Sequence, residues 1–145
     1  MNNKMVNKAK EASEPKRPIL KNCIKAFFVG GFICLFAQIL IQIFMDWFGY
    51  EKEYANVLTV TIMVFLGALL TGLGIYDRLG QFAGAGSIIP ITGFANSMTS
   101  AAMESKSEGM VLGIFVNMFK LAGSVIVVGI ISAFVFGAIR YILGI

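Results

Sequence analysis

Between Leu79 and Met103 the chain runs twenty-five residues without a charge, LGQFAGAGSIIPITGFANSMTSAAM, and twelve of them are Gly, Ala or Ser. Pro90, Thr92, Asn96 and Thr99 fall in the same stretch. Such a run is apolar enough for a membrane but too small and too polar for an ordinary lipid-facing helix. In hydrocarbon, irregular backbone survives only where protein covers it or where it lines a watery path. Transporters place substrate sites at broken, small-residue segments of this kind.

The surrounding sequence is that of an integral membrane protein. It has 145 residues, 57% of them hydrophobic and 14% charged, with mean hydropathy +0.80. Divided among spans of about 20 residues, the chain has no room for a separate soluble catalytic domain. Residues 1–25 hold seven Lys or Arg against two Glu and form a basic tail, and residues 26–145 form one transmembrane domain. A basic tail beside a span sets topology or touches anionic lipid rather than nucleic acid. It places the N-terminus in the cytoplasm. Cys23 and Cys34 make no recognisable pair or lipidation site, so the first span is read as retained.

Ala26–Met45 carries no charge, and at about 1.5 Å per residue it crosses roughly 30 Å of hydrocarbon. The loop after it, with Asp46, Trp47, Tyr50, Glu51, Lys52, Glu53 and Tyr54, has the acidic and aromatic character of an outer interface. Ala55–Ile75 returns and stops at Tyr76, Asp77 and Arg78. Arg78 and Arg140 read as cytoplasmic orientation charges. After the charged connection of Glu104, Lys106 and Glu108, Gly109–Tyr141 is apolar apart from Asn117, Lys120 and Arg140. One helix of that length would reach roughly 50 Å, so the arithmetic predicts a half-length piece, Gly109–Phe119, a break near Lys120–Gly123 and a full span Leu121–Ile139. The expected fold is an all-α membrane protein of about four transmembrane helices with broken or re-entrant segments. Its two irregular elements, Gly80–Ala102 and the break at Lys120, would face each other.

Fourfold spacings mark packing faces. Gly129, Ala133 and Gly137 on the last span, and Gly80 and Gly84 on the third segment, are expected to let another helix approach closely. Gly30, Cys34, Gln38, Gln42 and Asp46 recur along one side of the first span, where the glutamines either bond between helices or line a conduit. Lys120 in an apolar run either snorkels to headgroups or sits buried and holds an anion.

Catalysis finds no support. The chain has no histidine, which removes Ser-His nucleophiles, HExxH zinc sites and imidazole metal ligation. Tyr76-Asp77 matches one half of an intramembrane aspartyl protease site, but the second Asp motif is absent. Gly84-Ala85-Gly86-Ser87 lacks the following GK[ST] of a phosphate loop. No enzyme activity, cofactor or resident metal is expected.

The run GIYDRLGQFAGAGSIIPITGFANSM, with EGMVLGIFVNMFKLAGSVIV downstream and VGGFICLFAQ upstream, closely resembles the stage V sporulation protein AC family and its sibling AE-type subunits over about residues 20–145. The resemblance implies a multi-pass protein of the forespore and spore inner membrane. It implies a complex that moves dipicolinic acid with calcium during sporulation and germination. The implied partners are the AE-type membrane subunit and the soluble, dipicolinate-binding AD-type subunit. Dipicolinate is a planar dianion whose passage needs hydrogen-bond donors, a cation at the narrow point and weak binding. Gln81, Ser87, Pro90, Thr92, Asn96 and Ser97, with Asn117 and Lys120 at the second break, are the expected substrate path. A tension-gated pore without chemical selectivity and a non-conducting scaffold are the alternatives.

Overall fold

The computed structural model describes residues 18–144. The basic tail up to residue 17 lies outside the described residues. From Pro18 onward the order is α1 (Ile19–Asp46), α2 (Lys52–Gly72), α3 (Ile75–Ala83), α4 (Ala85–Ile88), α5 (Ile91–Glu104), a 3-10 turn (Ser105–Glu108), a π-helical turn (Met110–Phe115) and α6 (Val116–Leu143). No described residue is in a strand. Among the described residues three helices are long and apolar enough to cross a membrane: α1, α2, and the continuous stretch Met110–Leu143. The fold is an all-α membrane protein.

Between the second and last long helices the chain is broken, as the small-residue run requires. Gly74 adopts φ +71 and Gly84 φ +54, conformations that cost an L side chain energy but not glycine. Pro90 cannot donate into a continuing helix, so α4 stops before it and α5 starts after it. The longest piece, α5, has 14 residues, about 21 Å, short of a hydrocarbon core of about 30 Å.

Three expectations about the elements are corrected. First, α2 ends at Gly72, and Tyr76, Asp77 and Arg78 belong to the separate, strongly amphipathic α3. The left-handed Gly74 makes that break three residues before the first charge, Asp77. Second, Lys120–Gly123 lies inside α6 with no break. Nothing there opposes helix: Leu121 and Ala122 are strong helix formers, and a single helical Gly costs only about 1 kcal/mol. The irregularity falls earlier, at Gly109 with φ +97 and in the wide π turn after it, where the Asn117 amide donates to the Gly113 carbonyl at 3.0 Å. Third, a Cβ placed on Gly129, Gly137 or Gly84 meets nothing within 4 Å, and one on Gly80 only the Ser87 hydroxyl at 3.9 Å. Those spacings do not mark contacts within the chain.

Close packing lies elsewhere. Ala55, Thr59, Met63, Gly67 and Thr71 form the buried stripe of α2, and α2 lies side by side with α5. A Cβ on Gly67 would sit 2.9 Å from the Thr92 carbonyl oxygen and 3.1 Å from the Ala95 Cβ. Gly86 of α4 seats its backbone directly on Ala26 of α1, with Gly30 one turn further along. Backbones this close gain dispersion contact that a larger residue would prevent. Lys25 on α1 lies 4.4 Å from the centroid of the Phe82 ring on α3 and ties the two helices together. By contrast α1 and α6 contain no buried residue.

Candidate functional site

A polar cleft of about 330 Å³ opens where α3, α4 and α5 converge, with Asp77, Gly80, Gln81, Ser87, Asn96 and Ser97 among its walls. Beneath it runs a buried hydrogen-bonded layer. The Tyr76 hydroxyl donates to the Ser87 carbonyl at 2.8 Å and lies 2.7 Å from the Thr92 hydroxyl, whose own proton completes that contact. Thr71 on α2 lies 2.6 Å from the Gly67 carbonyl and 2.8 Å from the Asn96 carbonyl oxygen. Thr71 holds one end of the Asn96 amide and leaves the other end facing the cleft.

This layer explains why the breaks in the chain are tolerated. The orphan backbone groups at a helix end need partners, and in an apolar surround an unpaired carbonyl is costly. Tyr76 satisfies one of them, the Ser87 carbonyl at the end of α4, and Ser87 itself closes the turn by donating to the Gly84 carbonyl at 3.0 Å. Removing the phenol with Tyr76→Phe leaves that carbonyl unsatisfied, for an expected loss of about 1–3 kcal/mol. Thermal unfolding of purified protein in detergent measures it, and an unchanged midpoint would show that the layer contributes no stability.

The sequence-predicted path residues divide among four places. Gln81, Asn96 and Ser97 line the cleft, and Ser97 also donates to the Gly93 carbonyl at 3.1 Å. Thr92 and Ser87 are buried with their hydroxyls engaged beneath it. Pro90 faces away, into an apolar groove against Ala26 and Gly30 of α1. Asn117 and Lys120 line a different cleft of about 560 Å³ with Glu104, Glu108, Ser105 and Ser124. The small-residue stretch and the π turn do touch, through α5, but their polar groups are not gathered into one chamber. The reason is the missing break: with α6 continuous, Lys120 points to the end of α5 rather than back to its start. Lys120 is exposed.

Two participants were not anticipated. Tyr76 reads in sequence only as the point where the second span stops, yet it is 3% exposed and organises the site. Thr71 was not singled out, although the fourfold recurrence of Ala55, Thr59, Met63, Gly67 and Thr71 was available to find it. The glutamines of α1 are not part of the site: Gln38 is exposed, and Gln42 donates to Asp46 at 2.9 Å on the helix exterior.

No solved structure matches the chain. Stage V sporulation protein AC of Bacillus subtilis (strain 168) is 55% identical over 128 residues, 88% of this chain and 85% of the relative. A family model described as SpoVAC/SpoVAEB sporulation membrane protein matches residues 22–139, which takes in every described helix apart from the extreme ends of α1 and α6. The chain therefore belongs to the SpoVAC/SpoVAEB family of sporulation membrane proteins.

Proposed function

We propose that this protein is a membrane subunit of a complex that moves dipicolinic acid, with calcium, across the spore inner membrane during sporulation and germination. The observation that carries the reading is the cleft between α3, α4 and α5. It joins a broken, small-residue backbone to the side-chain amides of Asn96 and Gln81. Neutral donors of this kind bind a dicarboxylate weakly enough to release it, which conduction requires. Asp77 is the acidic side chain on that cleft, and the accompanying calcium offsets its repulsion of the dianion. The AE-type membrane subunit and the dipicolinate-binding AD-type subunit are the partners in this reading, and the N-terminus is cytoplasmic. Lys120 and Asn117, in the second cleft, form a separate stage of the path.

The test is water-accessible labelling of single cysteines from Gly80 to Met103, in a Cys23→Ala/Cys34→Ala background within the assembled membrane complex. Labelling at Gln81, Asn96 and Ser97 that dipicolinate blocks is expected, with Thr92 and Ala95 protected throughout. A stretch that labels nowhere would mean dry packing, and the chain would then be a scaffold or a closed tension gate.

A further inference from the structure

Resting on the transport reading above, we propose that the second cleft selects the form of the solute: it admits a dicarboxylate as its neutral chelate with a divalent cation and turns away the free dianion. Glu104, Glu108 and Lys120 line this one cleft of about 560 Å³. Among the described residues no ion pair joins the lysine to either carboxylate. Opposite charges that share a cleft without touching leave room for a ligand that is itself charged at two ends. The backbone holds the frame. The 3-10 turn Ser105–Glu108 lies so close to the π turn that a Cβ on Gly113 would strike the Ser105 carbonyl and sit 3.0 Å from the Glu108 Cβ. This fixes the acidic turn against the start of the long helix that carries Lys120.

Two further groups supply oxygen ligands beside the carboxylates. Ser105 is 8% exposed and lines the cleft, and its hydroxyl has no hydrogen-bond partner among the described residues. A buried hydroxyl left in that state is costly unless something else meets it. The Asn117 nitrogen is engaged on the Gly113 carbonyl at 3.0 Å, which leaves the amide oxygen as the end that faces the cleft. Hard divalent cations the size of calcium collect about six to eight oxygen ligands. A chelating dicarboxylate fills only part of that shell, so protein oxygens complete it while the Lys120 ammonium meets an outward-facing carboxylate oxygen of the solute. Charge then decides what enters. Two carboxylates and one ammonium leave the cleft a net negative charge, which repels a free dianion and is indifferent to a neutral chelate. Lys120 alone would favour the dianion, and the glutamates reverse that preference.

Ser124→Cys, on the wall of this cleft, reports its occupancy through maleimide labelling from water in the assembled membrane complex, in the Cys23→Ala/Cys34→Ala background. Gln81→Cys reports the first cleft in a parallel sample. Dipicolinate with calcium is expected to protect Ser124→Cys, and dipicolinate in EDTA is expected to need a concentration about tenfold higher or more for the same protection. Adding Glu104→Gln/Glu108→Gln leaves the lysine as the charge on the cleft and is expected to reverse the order, so that metal-free dipicolinate protects better than the chelate. Glutamates that merely supported the fold would instead lower protection by both forms together. Equal protection by the two forms with the glutamates in place, or an unreversed order in the double variant, would overturn the proposal. Protection at Gln81→Cys with none at Ser124→Cys would overturn it alone, whereas no protection at either position would remove the transport reading as well.

Discussion

Replacing Gly86 by valine is expected to remove folded protein from the membrane. A Cβ at this position strikes the Ala26 carbonyl and lies 2.7 Å from its Cα, and all of these atoms are backbone. No rotamer change relieves such a clash, so α1 and α4 must separate. Overpacking commonly costs about 1–3 kcal/mol, and loss of a backbone-on-backbone helix contact belongs at or beyond the top of that range. The damage extends to the site, because α4 carries the Ser87 carbonyl that anchors Tyr76. Size-exclusion yield and thermal unfolding in detergent are the measurements. Gly123→Ala on α6, where a Cβ meets open space, is the matched control and is expected to be neutral or stabilising by up to about 1 kcal/mol. If Gly86→Val accumulates and melts like the control, the α1–α4 contact is not what holds the broken segment in place.

The second large effect concerns transport. Asn96→Asp changes one heavy atom, replacing a neutral amide on the cleft by a carboxylate with a negative charge. A dianion about 5 Å from a new carboxylate is repelled by about 2–7 kcal/mol, between the dielectric of water and that of a protein surface. Should the carboxylate instead hold the accompanying calcium, the solute is retained and does not leave. Either way dipicolinate flux is expected to fall by about tenfold or more, with protein level and thermal midpoint little changed. Dipicolinate uptake by the forespore and its release at germination are the readouts. Flux equal to wild type, in a complex that assembles normally, would remove this cleft from the path.

How far the sequence reached differs by element. The long apolar runs at Ala26–Met45 and Ala55–Ile75 announce α1 and α2, because burying a helix in lipid depends on composition and length, both local properties. The break at Pro90 was legible for the same reason: a missing backbone donor acts on the chain where it stands. Lys120 misled, since a charge in an apolar run is an energetic cost but not a backbone constraint, and α6 continues through it. Small-residue spacing was ambiguous too. It marks where a helix is able to approach, and Gly129 and Gly137 meet nothing while Gly67, Gly86 and Gly93 are in close backbone contact.

By itself, then, the amino-acid order determined the membrane environment, the helical class, the break at Pro90 and, through the run from Gly74 to Met98, membership of the family. These follow from hydropathy, backbone stereochemistry and motif, which act over a few residues. The tertiary structure alone decided which polar groups share a cleft. Tyr76, Thr92 and Ser87 meet because Gly74 and Gly84 turn the chain back on itself, and Asn96 is aimed by Thr71, twenty-five positions away on another helix. It also separated Lys120 from that group. Hydrogen bonds and close packing are set by distance in space, and the angles at which these helices cross are a product of all their contacts together.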